Sequence, residues 1–254
     1  MNTKTKIALI TGGSRGLGKN SALKIAEKGL DVILTYKSNK EEADKVVREI
    51  QALGRKAIAY QLDTKDTKSF DAFVKNVGDH LEENTGSRNI DYLINNAGTS
   101  LHAPITEVTE EQLDDVVDIH FKGVFFLTQK LLPIINEGGG IINISSGLAR
   151  FATPGYSVYG GIKAGIEMLT KYMAKELGPR KIKANVVAPG AIETDFGGGM
   201  VRDIKEVNDT IAGVTALGRV GLPDDIGGVV AFLCMEDAGW INGQRIEVSG
   251  GMFL

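Results

Sequence analysis

The chain has 254 residues, 43% of them hydrophobic and 24% charged, with a formal net charge of −3 at neutral pH. That length and balance fit one soluble α/β domain with a full core, and the slight acidity argues against nucleic acid or an anionic membrane as a partner. The single cysteine, Cys234 in VVAFLCM, excludes an internal disulfide and reads as core packing, and no apolar run is long enough for a signal segment or a membrane span, so a reducing, cytoplasmic setting is expected.

Lys6–Thr11 (KIALIT) reads as a buried strand running into Gly12-Gly13-Ser14-Arg15-Gly16-Leu17-Gly18. A helical pattern follows to Gly29, then a strand at Val32–Tyr36, a helix at Glu41–Leu53 closed by Gly54, a strand at Ala57–Leu62 and a helix at Thr67–Leu81. Glu83–Asn89 (ENTGSRN) reads as a surface loop before a short strand, Tyr92–Ile94, that enters Asn95-Asn96-Ala97-Gly98. Thr109 is the expected N-cap of a long helix reaching about Leu132. The pattern then predicts a strand at Ile141–Ser145, a helix from about Tyr156 to Leu177, a strand at Ala184–Ala188, a helix at Pro223–Met235 and a strand near Arg245–Val248. Thr194–Gly221 stands outside this alternation, and a loop of such length beyond a strand's carboxyl end is usually functional or mobile. Apolar strands alternating with helices predict a Rossmann-like, doubly wound sheet of about seven parallel strands with helices on both faces. No linker or repeat divides the chain, so 1–254 reads as a single domain.

Glycines between a first strand and a first helix let the backbone approach a pyrophosphate and present the helix N-terminus to it. Here the spacing is Gly12, Gly16, Gly18, with three residues between the first pair where the usual dinucleotide fingerprint has one. An acidic residue after the second strand would hold the ribose hydroxyls of NAD and repel a 2′-phosphate. The chain has Leu34-Thr35-Tyr36-Lys37-Ser38 there, so Arg15 and Lys37, assisted by Ser38, favour NADP (NADPH) over NAD.

Between Ser146 and Lys163 the sequence reads SGLARFATPGYSVYGGIK, which sets Tyr159 and Lys163 one helical turn apart. A free phenol has a pKa of about 10, and bringing it near 7 takes roughly three units, about 4 kcal/mol. One ammonium roughly 4 Å away supplies about that much at an effective dielectric near 20, so the pair is a candidate acid–base device.

TGGSRGLG, NNAG, the Ser–Tyr–Lys arrangement, Pro189-Gly190 and the terminal Val248-Ser249-Gly250-Gly251, taken in this order, resemble the short-chain dehydrogenase/reductase family across essentially the whole chain. The resemblance selects Ser146, thirteen residues before Tyr159, to orient the substrate carbonyl or alcohol. It makes Tyr159 the proton donor or acceptor, and gives Lys163 the tasks of lowering the tyrosine pKa and holding the nicotinamide ribose. It implies cofactor contacts from Gly12, Ser14, Arg15, Gly16, Leu17 and Gly18, from Lys37 and Ser38, from Asp63 and Thr64 at the adenine, and from Asn96, Ala97 and Gly98. It assigns the carboxamide to Pro189, Gly190, Ile192 and Thr194, and makes 194–221 a substrate lid. No metal is implied, and family members commonly form tetramers, so a homo-oligomer (tetramer or dimer) is expected.

Two departures stand out. His120 occupies the position where the family usually has a fourth catalytic residue, an asparagine, and histidine can titrate near pH 6–7. Gly160-Gly161 follow Tyr159 directly, at about 1 kcal/mol each against alanine in a helix, which points to close packing against a second subunit. The implied activity is NADPH-dependent reduction of a ketone or aldehyde, as in 3-oxoacyl-(acyl-carrier-protein) reductase-like members. The rivals are an alcohol or sugar dehydrogenase, since YKSNKEEA is similar to glucose-dehydrogenase-like relatives, and a nucleotide-binding regulator that has lost catalysis.

Overall fold

The structure is a computed structural model and describes residues 5–254. Its strands are β1 (Ile7–Ile10), β2 (Asp31–Tyr36), β3 (Ala57–Gln61), β4 (Ile90–Asn95), β5 (Ile135–Ile144), β6 (Lys183–Pro189) and β7 (Arg245–Val248). They form one sheet in the order β3-β2-β1-β4-β5-β6-β7, and every neighbouring pair is parallel. The helices are α1 (Gly16–Glu27), α2 (Lys40–Ala52), α3 (Phe70–Thr85), α4 (Glu110–Val117), α5 (Gly123–Leu131), α6 (Ser157–Glu176), α7 (Met200–Asp203), α8 (Lys205–Gly213) and α9 (Pro223–Leu233).

The sheet is buried on both faces because its strands are apolar at consecutive positions, with successive side chains pointing to opposite sides. In β1, Ala8 and Ile10 join a core with α1, α2 and α9, while Ile7 and Leu9 join the core formed with α3, α5 and α6. Each such leucine or isoleucine contributes roughly 1.5–3 kcal/mol by burial, so the alternation holds both helical layers to the sheet. The chain winds outward from β1 in one direction and from β4 in the other. The crevice beyond their carboxyl ends is therefore the topological switch point, where ligands bind in sheets of this kind.

Several boundaries differ from expectation for local reasons. α3 runs to Thr85 and ends at Gly86, whose φ of 68° closes the helix, so Glu83–Thr85 are helical and the expected loop is shorter. β5 begins at Ile135 and carries Gly138–Gly140, because a Cβ on Gly139 would come within 2.4 Å of the Asp91 carbonyl oxygen across the register shift with β4. The 194–221 segment is folded, with a 3-10 turn (Phe196–Gly199), α7 and α8 in place of open loop.

The long central helix starts as predicted, with Thr109 and Gln112 forming a reciprocal capping box. It is interrupted by a π turn at Asp118–Lys122, centred on His120, before continuing as α5. Such turns recur at functional sites.

Candidate active site

The glycine loop crosses the end of β1 and is tied to the NNAG segment after β4. The Thr11 hydroxyl accepts the backbone N–H groups of Asn96 and Ala97, both at 3.0 Å. The Asn96 side-chain amide donates back to the carbonyls of Thr11 (2.8 Å) and Gly12 (3.1 Å). Asn96 thus shapes the cradle with its side chain. Gly12 and Gly16 take φ of +65° and +54°, and a Cβ on Gly18 would fall 2.1 Å from the Gly12 carbonyl oxygen, so these positions need glycine. α1 opens with no side-chain cap and no acidic residue in its first turn, which leaves its first N–H groups for an anion. Ser14 and Leu17 are half-buried in the same loop and Arg15 is exposed at its rim. This donor set fits a dinucleotide pyrophosphate.

At the ends of β2 and β3, Lys37, Ser38 and Asp63 line a cleft of about 480 Å³ together with Gln61 and Asp66. The Lys37 ammonium pairs with the Asp63 carboxylate at 2.8 Å. Burial works to raise the Asp63 pKa, but the Lys37 hydrogen bond, the Lys65 backbone N–H and the two lysine charges outweigh it and hold the carboxyl below its usual range. Thr64 lies against the central helix, where Gly123 leaves room for its carbonyl oxygen 2.3 Å from where a Cβ would sit.

Across the crevice, Gly190 rests on Ser249 and donates its N–H to the Val248 carbonyl, so Pro189-Gly190 is fixed to the end of β7. Ile192 bridges to Gly221, and Thr194 is buried with its hydroxyl accepting the Phe196 N–H. A Cβ on Gly16 would lie 3.7 Å from Thr194, so the phosphate loop and the start of the lid face each other.

Ser146 ends β5's extension and caps the short turn Gly147–Ala149, its hydroxyl accepting the Leu148 N–H. Tyr159 and Lys163 stand on the inward face of α6 and both are buried. Gly160 lets α6 lie on the Ser146 turn: a Cβ there would come within 2.7 Å of the Leu148 carbonyl oxygen. Its glycine therefore has a reason inside the chain, apart from the subunit packing expected of it. Gly161 faces open space.

The Lys163 ammonium donates to the Ile144 carbonyl at 2.7 Å and lies 5.5 Å from the Tyr159 ring centre. Burial dominates both groups. It pushes the Tyr159 phenol up, with the nearby Tyr156 adding to the rise, and pushes Lys163 down to about 7. In the chain by itself, burial outweighs the lowering of the tyrosine pKa expected from Lys163.

His120 is buried edge-on to Tyr159, with ring centres 5.4 Å apart. Its Nε2 lies 2.8 Å from the Thr99 carbonyl and 3.1 Å from the Thr99 N–H, while Nδ1 is buried with no partner among the described residues. Gly98 makes space for it, since a Cβ there would meet Cε1 at 2.5 Å. Burial, followed by the charge of Lys163, lowers its pKa to about 3 despite the Thr99 hydrogen bond. The expectation of titration near pH 6–7 is corrected: the ring stays neutral.

Two positions were missed by sequence reasoning. Glu167 accepts from the Ser145 hydroxyl (2.8 Å) and from Arg245 Nε (2.7 Å). Arg245 also donates to Glu247 (2.9 Å) and to the Ser146 carbonyl (3.3 Å), so an ion-pair chain backs Ser146. The signal was present as a stride of four, Tyr159, Lys163, Glu167, along one helix face. Among the described residues no group of three or more His, Cys, Asp or Glu is placed to hold a metal, and no helix is long and apolar enough to cross a membrane.

Over residues 12–253 the chain matches the family described as Enoyl-(Acyl carrier protein) reductase. It is 40% identical over 252 residues to the 3-oxoacyl-[acyl-carrier-protein] reductase FabG of Staphylococcus aureus, spanning 98% of this chain and 99% of that protein. Among solved structures it is similar to the promiscuous reductase LugOII, which catalyses keto-reduction at C1 during lugdunomycin biosynthesis, with a TM-score of 0.92 and 37% identity over 99% of this chain and 98% of that one. It is also similar to the landomycin C-6 ketoreductase LanV with bound NADP and rabelomycin, with a TM-score of 0.89 and 35% identity over 99% and 98% of the two chains. Fold, crevice and relatives agree on the class: the protein is an NAD(P)-dependent oxidoreductase. The chain belongs to the short-chain dehydrogenase/reductase family, as its motifs led one to expect.

Proposed function

We propose that the protein reduces a ketone or aldehyde to an alcohol with NADPH, using Tyr159 as general acid. The observation that carries this reading is the joint burial of Tyr159 and Lys163 on α6, packed on the turn that follows Ser146. Bound NADPH supplies the hydride. Ser146 orients the carbonyl oxygen, and Tyr159, kept as the neutral phenol by burial, donates its proton to that oxygen as the alcohol forms. Lys163, its pKa brought to about 7 by the same burial, is still partly an ammonium beside the Tyr159 ring and lessens, without cancelling, the cost of the phenolate left behind. Asn96 holds the glycine loop in shape for the pyrophosphate, and Arg15 and Lys37 receive the 2′-phosphate in the absence of a carboxylate at the end of β2. The NADP carried by LanV and the carbonyl chemistry named for FabG, LugOII and LanV support both halves of the reading.

The test is a carbonyl panel assayed with NADPH and with NADH. NADPH is expected to be the better donor, and Tyr159→Phe is expected to lower kcat by about 10²–10⁴-fold while NADPH binding is retained. A Tyr159→Phe protein with undiminished kcat would remove the general-acid assignment, and an NADH preference would remove the cofactor assignment.

A further inference from the structure

We infer that the substrate is a small planar aromatic ketone, taken up free and not as an acyl chain delivered by a carrier protein; this rests on the carbonyl-reduction reading above. Three loops border the crevice at the carboxyl edge of the sheet, after β4, β5 and β6: the last sets Phe196 against Tyr159, and the other two pair His102 with Tyr156, three residues before Tyr159. From the loop after β6, Phe196 sets its ring 5.9 Å from that of Tyr159 at an interplanar angle of 55°, yet remains 45% exposed. A partly uncovered aromatic ring next to the Tyr159 ring is surface that a flat ligand would bury. The Phe196 backbone is anchored by its N–H bond to the Thr194 hydroxyl, and the left-handed Gly197–Gly199 turn the chain directly behind it. From the loops after β4 and β5, His102 and Tyr156 pack edge to face with ring centres 4.8 Å apart. That pair is clamped by the Ala103 N–H to Gly155 carbonyl bond of 2.9 Å and by Gly155, where a Cβ would meet His102 Nε2 at 2.4 Å.

The lid offers no free cation to an acidic carrier. The lid segment, 194–221, carries Asp195, Asp203, Glu206 and Asp209 against Arg202, Lys205 and Arg219. Each of those three bases is already engaged by a carboxylate. A docking surface for an acidic partner needs uncommitted cations, whereas this lid is net negative and its bases are paired within it or, for Arg219, with Asp225 at the start of α9.

The experiment compares β-tetralone, a fused-ring ketone, with acetoacetyl-coenzyme A at saturating NADPH. The kcat/KM for β-tetralone is expected to be at least about tenfold higher, Phe196→Ala is expected to lower the ratio of the two by about tenfold, and Phe196→Tyr to keep it. Faster reduction of the thioester, or a ratio unmoved by Phe196→Ala, overturns the inference while leaving carbonyl reduction standing. In parallel, β-tetralone binding is measured by calorimetry on the NADPH complex of Tyr159→Phe, with and without Phe196→Ala. Binding weakened about tenfold by Phe196→Ala, with no ketone reduced by the parent protein, would keep the aromatic site and reject the reductase reading. Absence of both binding and turnover overturns the inference.

Discussion

A histidine at the centre of a π turn, with Nε2 against the Thr99 backbone and Nδ1 buried alone, has lost the property that makes histidine useful near neutral pH. Its pKa of about 3 in the folded protein lies below the ordinary value of 6.5. Between those values the unfolded chain binds a proton that the native chain refuses, so stability is full above the unfolded value and is lost as pH falls toward the folded one. Thermal melts from pH 7 down to pH 4 are therefore expected to fall more steeply for the parent protein than for His120→Asn, by a few kcal/mol at most. The pH dependence of kcat/KM above pH 6 is expected to be the same in both proteins. A displaced rate profile in His120→Asn would show that the ring titrates in the working range. In this structure His120 bonds the Thr99 backbone and packs edge-on against the Tyr159 ring.

On the scale of elements, α6 does more than carry a tyrosine and a lysine. Its inward face continues to Glu167, and through Arg245 it is joined to β7 and to the Ser146 backbone, with side chains only 16% and 19% exposed. Arg245→Met strands the Glu167 carboxylate in that environment. Full burial would make this worth about 3–5 kcal/mol; with the remaining exposure about 2–3 kcal/mol is expected in urea unfolding. Adding Glu167→Met should recover much of that loss, because the isolated charge is then gone. If the double variant is as unstable as the sum of the two singles, the pair is not the unit described here.

How far the elements could be read from sequence varied with how local their causes are. The glycine loop, the Thr109 cap and the Tyr–Lys turn declare themselves within a few residues, and each stands where it was expected. Residues 83–85 read as loop because polar exposed positions carry no apolar period, although Gly86 marks the true helix end. The strand expected from Ile141 begins earlier, through glycines that have low strand propensity; Gly139 and Gly140 serve the approach of Asp91 and Tyr92 from β4, which is visible only once the register is known. The same holds for the buried chain in which Asn95 donates to Thr128 and Asn143, and Asn143 to Thr170: its members lie on four elements. The chemistry of Tyr159 and Lys163 was legible as a pair, but the direction of their pKa shifts depends on burial, which spacing does not reveal.

For the whole molecule, the outward side of α6 is the feature still without a partner in the chain. Gly161 is bare there, while Met168 and Tyr172 are 52% and 61% exposed, next to the central helix whose Phe125 and Phe126 are also partly uncovered. Self-association through this side is expected, and sedimentation at micromolar concentration checks it: a clean monomer would count against it, and Tyr172→Glu should shift any oligomer toward smaller species. The sheet itself gives the molecule its asymmetry, since both outward windings start at the same crevice and all the chemistry collects at one edge.

The Thr11 hydroxyl has a consequence at that edge. By accepting two amides from the far side of the crevice while Asn96 returns two bonds to the glycine loop, it joins the ends of β1 and β4 into one stiff floor. A dinucleotide arriving there meets a surface that is already ordered. Little of its binding energy is then consumed in freezing backbone, and more is retained as affinity.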